Sequence, residues 1–301
     1  MSNYSETRPT SMMSKISKKV RHYILMLSFT MKGVRLPILA KRHALKKASI
    51  KLYWWAAPNI NNFGDTVSKD IILNLFGRNI VFAPLEECDI VAAGSILELA
   101  GEVSRNSKFY VWGSGFIRKD SHNINLDRAV FKAVRGQKTI QRIEKNVPTG
   151  DPGILIAPTY LLRRKKHSKN IGVIIHYADK NTAIAKKISK DSRFTIIDPL
   201  DEPRNVAEKI SNCGLILSSS LHGLIFADSL SIPNIHIKIS QNITGGNYKF
   251  EDYYSGIGKK YIQADISKIF SDEYLKKIKQ EYRPIPHLAK KQRSLIKTFP
   301  F

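Results

Sequence analysis

The stretch Leu215-Ile216-Leu217-Ser218-Ser219-Ser220-Leu221-His222-Gly223, continued by an apolar helical pattern over 224–230, decides the fold. An unbroken apolar run that gives way to small hydroxyl residues and then to a helical period reads as buried strand, tight loop and helix. Strands that are apolar on both faces belong to parallel sheets covered by helices on each side. Working outward, apolar runs at 171–176, 194–198 and 234–237 extend this unit into one βα series. Upstream, 50–55, 80–83, 89–93 and 109–112 form another. The predicted fold is α/β, with two doubly wound halves facing a central cleft. The charged segment 161–168 has no strand period and is read as the hinge. It divides 49–165 from 166–301, and the C-terminal helices fall in the second half. Open parallel sheets take ligands beyond the carboxyl ends of their strands, so the loops after strands become the candidate site.

The rest of the composition narrows the class. The chain has 301 residues, of which 43% are hydrophobic and 25% charged, enough to bury a large core and too apolar for a disordered or collagenous chain. Two cysteines, Cys88 and Cys213, make neither a disulfide framework nor a thiolate metal site and fit a reducing, cytoplasmic compartment. The net charge of +24 calls for an anionic partner or surface. Eleven basic residues precede Ser49 against the single acid Glu6, which makes 1–48 a basic arm. Its apolar stretch, 23–31, is too short to span a bilayer. Two readings of it stay open, an interfacial segment that inserts Ile24, Leu25, Leu27 and Phe29 beside anionic headgroups, and a helix packed on the core. No basic–aromatic interleaving or recognised module points to nucleic acid.

Two loops carry chemistry. The first, 58–65, follows the strand ending at Trp54-Trp55 and brings Asn59, Asn61, Asn62, Gly64 and Asp65 to the cleft edge. Asn side chains suit sugar hydroxyls; Asp65 either caps a helix starting at Thr66 or takes a proton from a hydroxyl. Trp55 either stacks on a sugar ring or belongs to the core. The second loop, Ser218 to Gly223, offers three hydroxyls, the His222 imidazole and helix N-terminal amides, a cradle for phosphate or carboxylate. A bound dianion would keep His222 protonated; otherwise the ring is a packing residue. Thr244-Gly245-Gly246-Asn247 reads as a mobile loop on the acceptor side, and Tyr253 and Tyr254 as either core or site. No spacing of His or acidic residues suggests a metal, so none is expected.

The ordered series Asn62-Phe63-Gly64-Asp65, Ala133-Val134-Arg135-Gly136, Gly150-Asp151-Pro152-Gly153, Ser218 to Gly223 and Lys249-Phe250-Glu251-Asp252-Tyr253 resembles the polysaccharide pyruvyl transferase family, over about 50–258. The resemblance implies two Rossmann-like domains arranged as in GT-B glycosyltransferases, with an acceptor side in the first half and a donor side in the second. It implies phosphoenolpyruvate as donor, no cofactor, and a sugar or lipid-linked oligosaccharide acceptor that receives a cyclic ketal. Capsule, exopolysaccharide or lipopolysaccharide assembly at the inner face of the cytoplasmic membrane is the implied setting. The family's donor-binding Arg maps to Arg135 and its donor-contacting His to His222. Where many members carry a further Arg, this chain has Ser220, and Lys249 or Arg118 is the candidate replacement. The expected roles are catalysis by His222 and Asp65, donor binding by Arg135, Ser218, Ser219, Ser220, His222 and Lys249, and acceptor binding by Asn61, Asn62 and Trp55. A nucleotide-sugar glycosyltransferase is the competing function, although no carboxylate stands where a ribose would be held.

The basic arm yields a direct test. The full chain should sediment with anionic liposomes and dissociate as salt rises, each basic side chain contributing about 1 kcal/mol near the surface. A chain starting at Ser49 should stay in the supernatant; equal sedimentation of both would place the membrane contact elsewhere.

Overall fold

The computed structural model describes residues 48–56, 61–120 and 124–301. The basic arm up to Lys47 and the loop residues Pro58, Asn59 and Ile60 lie outside them. The first sheet holds β1 (Ile50–Tyr53), β2 (Ile80–Phe82), β3 (Ile90–Val91), β4 (Phe109–Trp112) and β5 (Ala129–Ala133), in the order β2-β1-β3-β4-β5. The second holds β6 (Ile171–Ile174), β7 (Phe194–Ile196), β8 (Leu215–Ser218), β9 (Asn234–Ile237) and β10 (Gln263–Ala264), in the order β10-β9-β8-β6-β7. Every pairing is parallel. Counted from its own first strand, each half has the same order, and each reverses direction of winding between its first and third strands. Such reversal points open crevices above the strand ends. Here they lie at β1/β3 and at β6/β8, and both feed the same cleft.

Two strands, β5 and β10, are absent from the sequence expectation. β5 carries Lys132 and is buried only at Ala129 and Ala133, so its apolar run is broken; β10 is two residues long. Both are edge strands, where one-sided burial weakens the sequence signal. β1 stops at Tyr53, two residues short of the expected end, which frees Trp54 and Trp55 for the following loop.

The connecting helices are α1 (Phe63–Phe76), α2 (Leu97–Glu102), α3 (Gln137–Ile143), α4 (Ile156–Tyr160), α5 (Ala183–Lys190), α6 (Pro203–Ser211), α7 (Leu221–Ser229), α8 (Tyr248–Ile257), α9 (Asp272–Glu281) and α10 (Leu288–Thr298). One apolar cluster runs from Leu52 and Trp112 under the first sheet through Phe63 and Ile156 to Ile216 and Phe226 under the second. At its centre Phe63 meets Phe226 edge-on at 4.9 Å, and the Phe63 N–H donates to the Pro199 carbonyl. Tyr253 and Tyr254 are core residues. Tyr253 donates to the fully buried carboxylate of Asp228, which also accepts from Lys259, Asn234 and Tyr282, and Tyr254 donates to Asn234.

The last helix leaves the second sheet and returns to the first. Trp112 Nε1 donates to the Leu295 carbonyl at 3.0 Å, and Phe299 stacks on Phe76 at 3.9 Å while meeting Trp112 edge-on at 5.1 Å. A division at residue 165 therefore separates the sheets but not the packing. Phe299→Ala should lower stability by about 2 kcal/mol, less than for a fully enclosed Phe because its ring is partly exposed. Denaturant unfolding should show one transition shifted as a whole, since the two halves share a core.

Candidate active site

A cleft of about 380 Å³ lies between the halves, lined by the loops after β1, β3, β4, β6, β8 and β9. These loops include those at the two reversal points, so the topology accounts for the position of the cleft.

At its base the first turn of α1 meets the first turn of α7. Asn62, in extended conformation, caps α1 by accepting the Gly64 N–H at 3.1 Å. This corrects the reading in which Asp65 caps a helix starting at Thr66. The helix starts at Phe63, and Asp65 sits in its first turn with its carboxylate on the cleft wall. Burial pushes that carboxyl up to about 6, against the opposing pull of the nearby His222 and Lys249. The Gly64 position matters sterically, because a Cβ there would stand 2.1 Å from His222 Nδ1. His222, 6% exposed, points its other nitrogen at Asp151, with Nε2 3.7 Å from Oδ2. Neither of these two atoms has a hydrogen-bond partner among the described residues. Asp151 is fully buried, and its Oδ1 is already committed to the Gly153 N–H at the start of the short helix Pro152–Leu155. The fixed carboxylate thus faces the imidazole.

The three serines divide. Ser218 Oγ donates to the Ser220 carbonyl and accepts the Ser220 N–H, and Ser219 Oγ accepts the His176 N–H, so both hydroxyls hold the loop in shape. Ser220 is the one that lines the cleft, at the N-terminus of α7. Lys249 and Arg118 line it as well. Burial, with the positive charge of Arg135 adding to it, lowers the Lys249 ammonium to about 8, while Asp65 and Asp179 pull it back up. Arg135 itself lies behind the wall. Its side chain has no exposure. Nε donates to Asp252 at 2.9 Å, Nη1 to Ser95 Oγ at 2.6 Å, and Nη2 to the Phe116 carbonyl. Asp252 in α8 also accepts from the Thr139 backbone and hydroxyl, so this arginine joins the halves. Ser95, its partner, is on the cleft wall. Asn61 is exposed and outside the lining, Asn62 is the cap and also lines the cleft, and Trp55 faces it.

Asp151, within Gly150-Asp151-Pro152-Gly153, has no role in the sequence expectation, and neither do Ser95, Glu98 and Tyr177. Glu98 accepts from the backbone of Ile117 and Arg118 and so fixes the loop after β4. His176, at the end of the β6 run, was legible as a strand-end residue; burial, followed by the Lys249 charge, lowers its imidazole to about 4. In the loop 244–247, Gly245, at φ +82°, lies so close to the Ile117 carbonyl that a Cβ would stand 1.9 Å from it. Among the described residues no group of three or more His, Cys, Asp or Glu could hold a metal ion, and no helix is long and apolar enough to cross a membrane.

The family model described as polysaccharide pyruvyl transferase matches residues 14–241. The match reaches into the basic arm and stops short of Lys249, so it differs at both ends from the span expected by resemblance. The succinoglycan biosynthesis protein ExoV of Rhizobium meliloti is 26% identical over 220 residues, covering 70% of this chain and 66% of its own length. An uncharacterised protein of Acanthamoeba polyphaga mimivirus is 27% identical over 211 residues, covering 65% and 71%. A crystal structure of an uncharacterised Klebsiella pneumoniae protein is aligned over 83% of this chain and 100% of its own, at 16% identity and a TM-score of 0.38.

Asp65 gives a stability prediction with a definite sign. Its folded-state value is raised from 3.8 to about 6, so the neutral form suits the fold and the charged form strains it. Below 3.8 this group costs nothing, the cost develops between 3.8 and about 6, and it is constant above. Asp65→Asn should therefore be more stable than the parent by about 2 kcal/mol above pH 6, after allowance for its solvent-facing side, and equal to it in acid. Denaturant midpoints on either side of the window check this.

Proposed function

The chain belongs to the polysaccharide pyruvyl transferase family, and we propose that it moves pyruvate from phosphoenolpyruvate onto two hydroxyls of one sugar, closing a cyclic ketal. It is a transferase of polysaccharide biosynthesis. The observation that carries the finer reading is the meeting of Asp65, His222 and Lys249 in one cleft, with Asp151 aimed at the imidazole. A GT-B-like arrangement is supported by two like-ordered sheets around that cleft.

The donor carries a phosphate and a carboxylate. Lys249, Arg118, the Ser220 hydroxyl and the α7 N-terminus offer the positive field for them, and Arg135 adds its charge from behind Ser95. Arg135 thus acts on the donor site as a positioning residue, each of its three guanidinium nitrogens already donating within the protein. His222, its ring facing the Asp151 carboxylate, gives a proton to the methylene carbon, which makes C2 electrophilic. Asp65 takes the proton of the attacking hydroxyl as the new C–O bond forms. The C2–O bond to phosphate then breaks, inorganic phosphate leaves, and the second hydroxyl adds to C2 as its proton passes back to His222. A carboxyl near 6 is well matched to that exchange at neutral pH. Asn62 and Trp55 serve the acceptor, and Asn61 stands outside the cleft. The basic arm would hold the enzyme at an anionic inner-leaflet surface, next to a lipid-linked acceptor.

Phosphoenolpyruvate should raise the melting temperature while UDP, GDP and CMP should not; the reverse pattern would favour a glycosyltransferase. Because Lys249 binds as a cation, donor affinity should hold at neutral pH and fall as pH rises through about 8. Lys249→Arg should remove that fall, since guanidinium stays charged. His222→Gln should lower turnover by about 10² or more with the fold intact.

A further inference from the structure

Asp151 opens the short helix Pro152–Leu155, and its place relative to α7 is fixed twice over. Its Oδ1 accepts the Gly153 N–H at 2.8 Å, which holds the carboxylate in one orientation. Ser229 in α7 donates to the Ile154 carbonyl at 2.7 Å and accepts the Ala157 N–H at 3.1 Å, tying the segment that carries Asp151 to the helix that carries His222. Gly153 keeps that contact close, because a Cβ there would stand 2.8 Å from Ile225 Cγ2. The remaining oxygen, Oδ2, faces His222 Nε2 at 3.7 Å, and both atoms are buried without a hydrogen-bond partner among the described residues. Contacts of this length between catalytic groups often tighten to a hydrogen bond in the substrate complex. The other ring nitrogen, Nδ1, lies on the far side of the ring, against Gly64 in the first turn of α1, the turn that brings Asp65 to the cleft wall.

We infer that Asp151 is the positioning residue of His222: it holds a hydrogen on Nε2 and so makes Nδ1 the nitrogen that serves the substrate. This deepens the proposed function and rests on it. An ionised carboxylate accepts hydrogen bonds and donates none, so the nitrogen that faces it must carry its hydrogen. Nε2 is also enclosed by protein, whereas a nitrogen that hands a proton to a substrate carbon must come within about 3.2 Å of it. The exchange therefore runs through Nδ1. Its N–H bond breaks as the C–H bond at the methylene carbon forms, the electron pair stays on Nδ1, and the ring is left neutral with Nε2–H still directed at Asp151. The proton of the second hydroxyl returns to the same Nδ1 when the ketal closes. A histidine that only packs has no use for this arrangement, since a buried carboxylate oxygen without a partner costs free energy that an apolar neighbour would not.

Imidazole nitrogen–proton correlation NMR on the full chain, isotope-labelled at its histidine nitrogens, tests the assignment, with the His222 signals identified by their loss in His222→Gln. In the neutral ring of the parent, Nε2 should carry the hydrogen and Nδ1 none. In Asp151→Asn the Gly153 N–H keeps the amide oxygen, so the amide NH2 turns to Nε2 and makes it an acceptor; the hydrogen should move to Nδ1, exchanging the two nitrogen signals. The melting shift produced by phosphoenolpyruvate should persist in this variant, which separates a changed tautomer from a lost fold. A neutral ring with its hydrogen on Nδ1 in the parent, or an unchanged hydrogen position in Asp151→Asn, overturns the inference and leaves the proposed function standing. Absence of any melting shift with phosphoenolpyruvate in the parent overturns the proposed function instead.

Discussion

The close approach of Gly64 to the His222 ring is the constraint on which the rest of the site depends. Only a residue without a side chain lets the first turn of α1 lie against the imidazole, and that contact brings helices from two different sheets together at their N-termini. The same turn presents Asp65, and the Asn62 cap fixes its start. With the ring held on one side by α1, its Nε2 is left facing the fixed carboxylate of Asp151. A larger residue at position 64 would push the ring or part the halves, and Phe63, which anchors the shared core next door, would move with it.

Burial then sets the acid–base character of the cleft. It raises the Asp65 carboxyl and lowers the Lys249 ammonium, so two groups that are normally far apart in acidity end within about two units of each other. Their mutual attraction moderates both shifts without removing them. Arg135 contributes in the same field without touching the cleft. Its charge is balanced at once by Asp252, so its direct effect is short in range and its structural effect, joining α8 to the first half, is the larger one.

Much of this was legible in the sequence. The runs at 109–112, 215–218 and 234–237 match β4, β8 and β9 residue for residue because each, apart from partly buried Tyr110 and Ile235, is buried throughout, the polar Ser218, Asn234 and His236 included. The position of His222 and Asp65 on the cleft followed from their place after strands. Whether Asn62 or Asp65 capped the helix was not legible, because both side chains can accept a backbone N–H and only the backbone conformation chooses between them. Nor could the sequence place the Arg135 head group: the partner that turns it inward, Asp252, is 117 residues away. Ser218 and Ser219 looked like ligand hydroxyls because composition cannot show that a loop needs its own hydroxyls to hold its shape.

The return of α10 to the first sheet has a mechanical consequence. The chain crosses between the halves once after Tyr160 and again after α9, and the second crossing ends in a helix pinned by Trp112, Phe76 and Phe299. A body joined by one tether can twist and slide. Joined by two, with Phe63 and Phe226 in one core between them, the halves hold the rims of the cleft in one alignment.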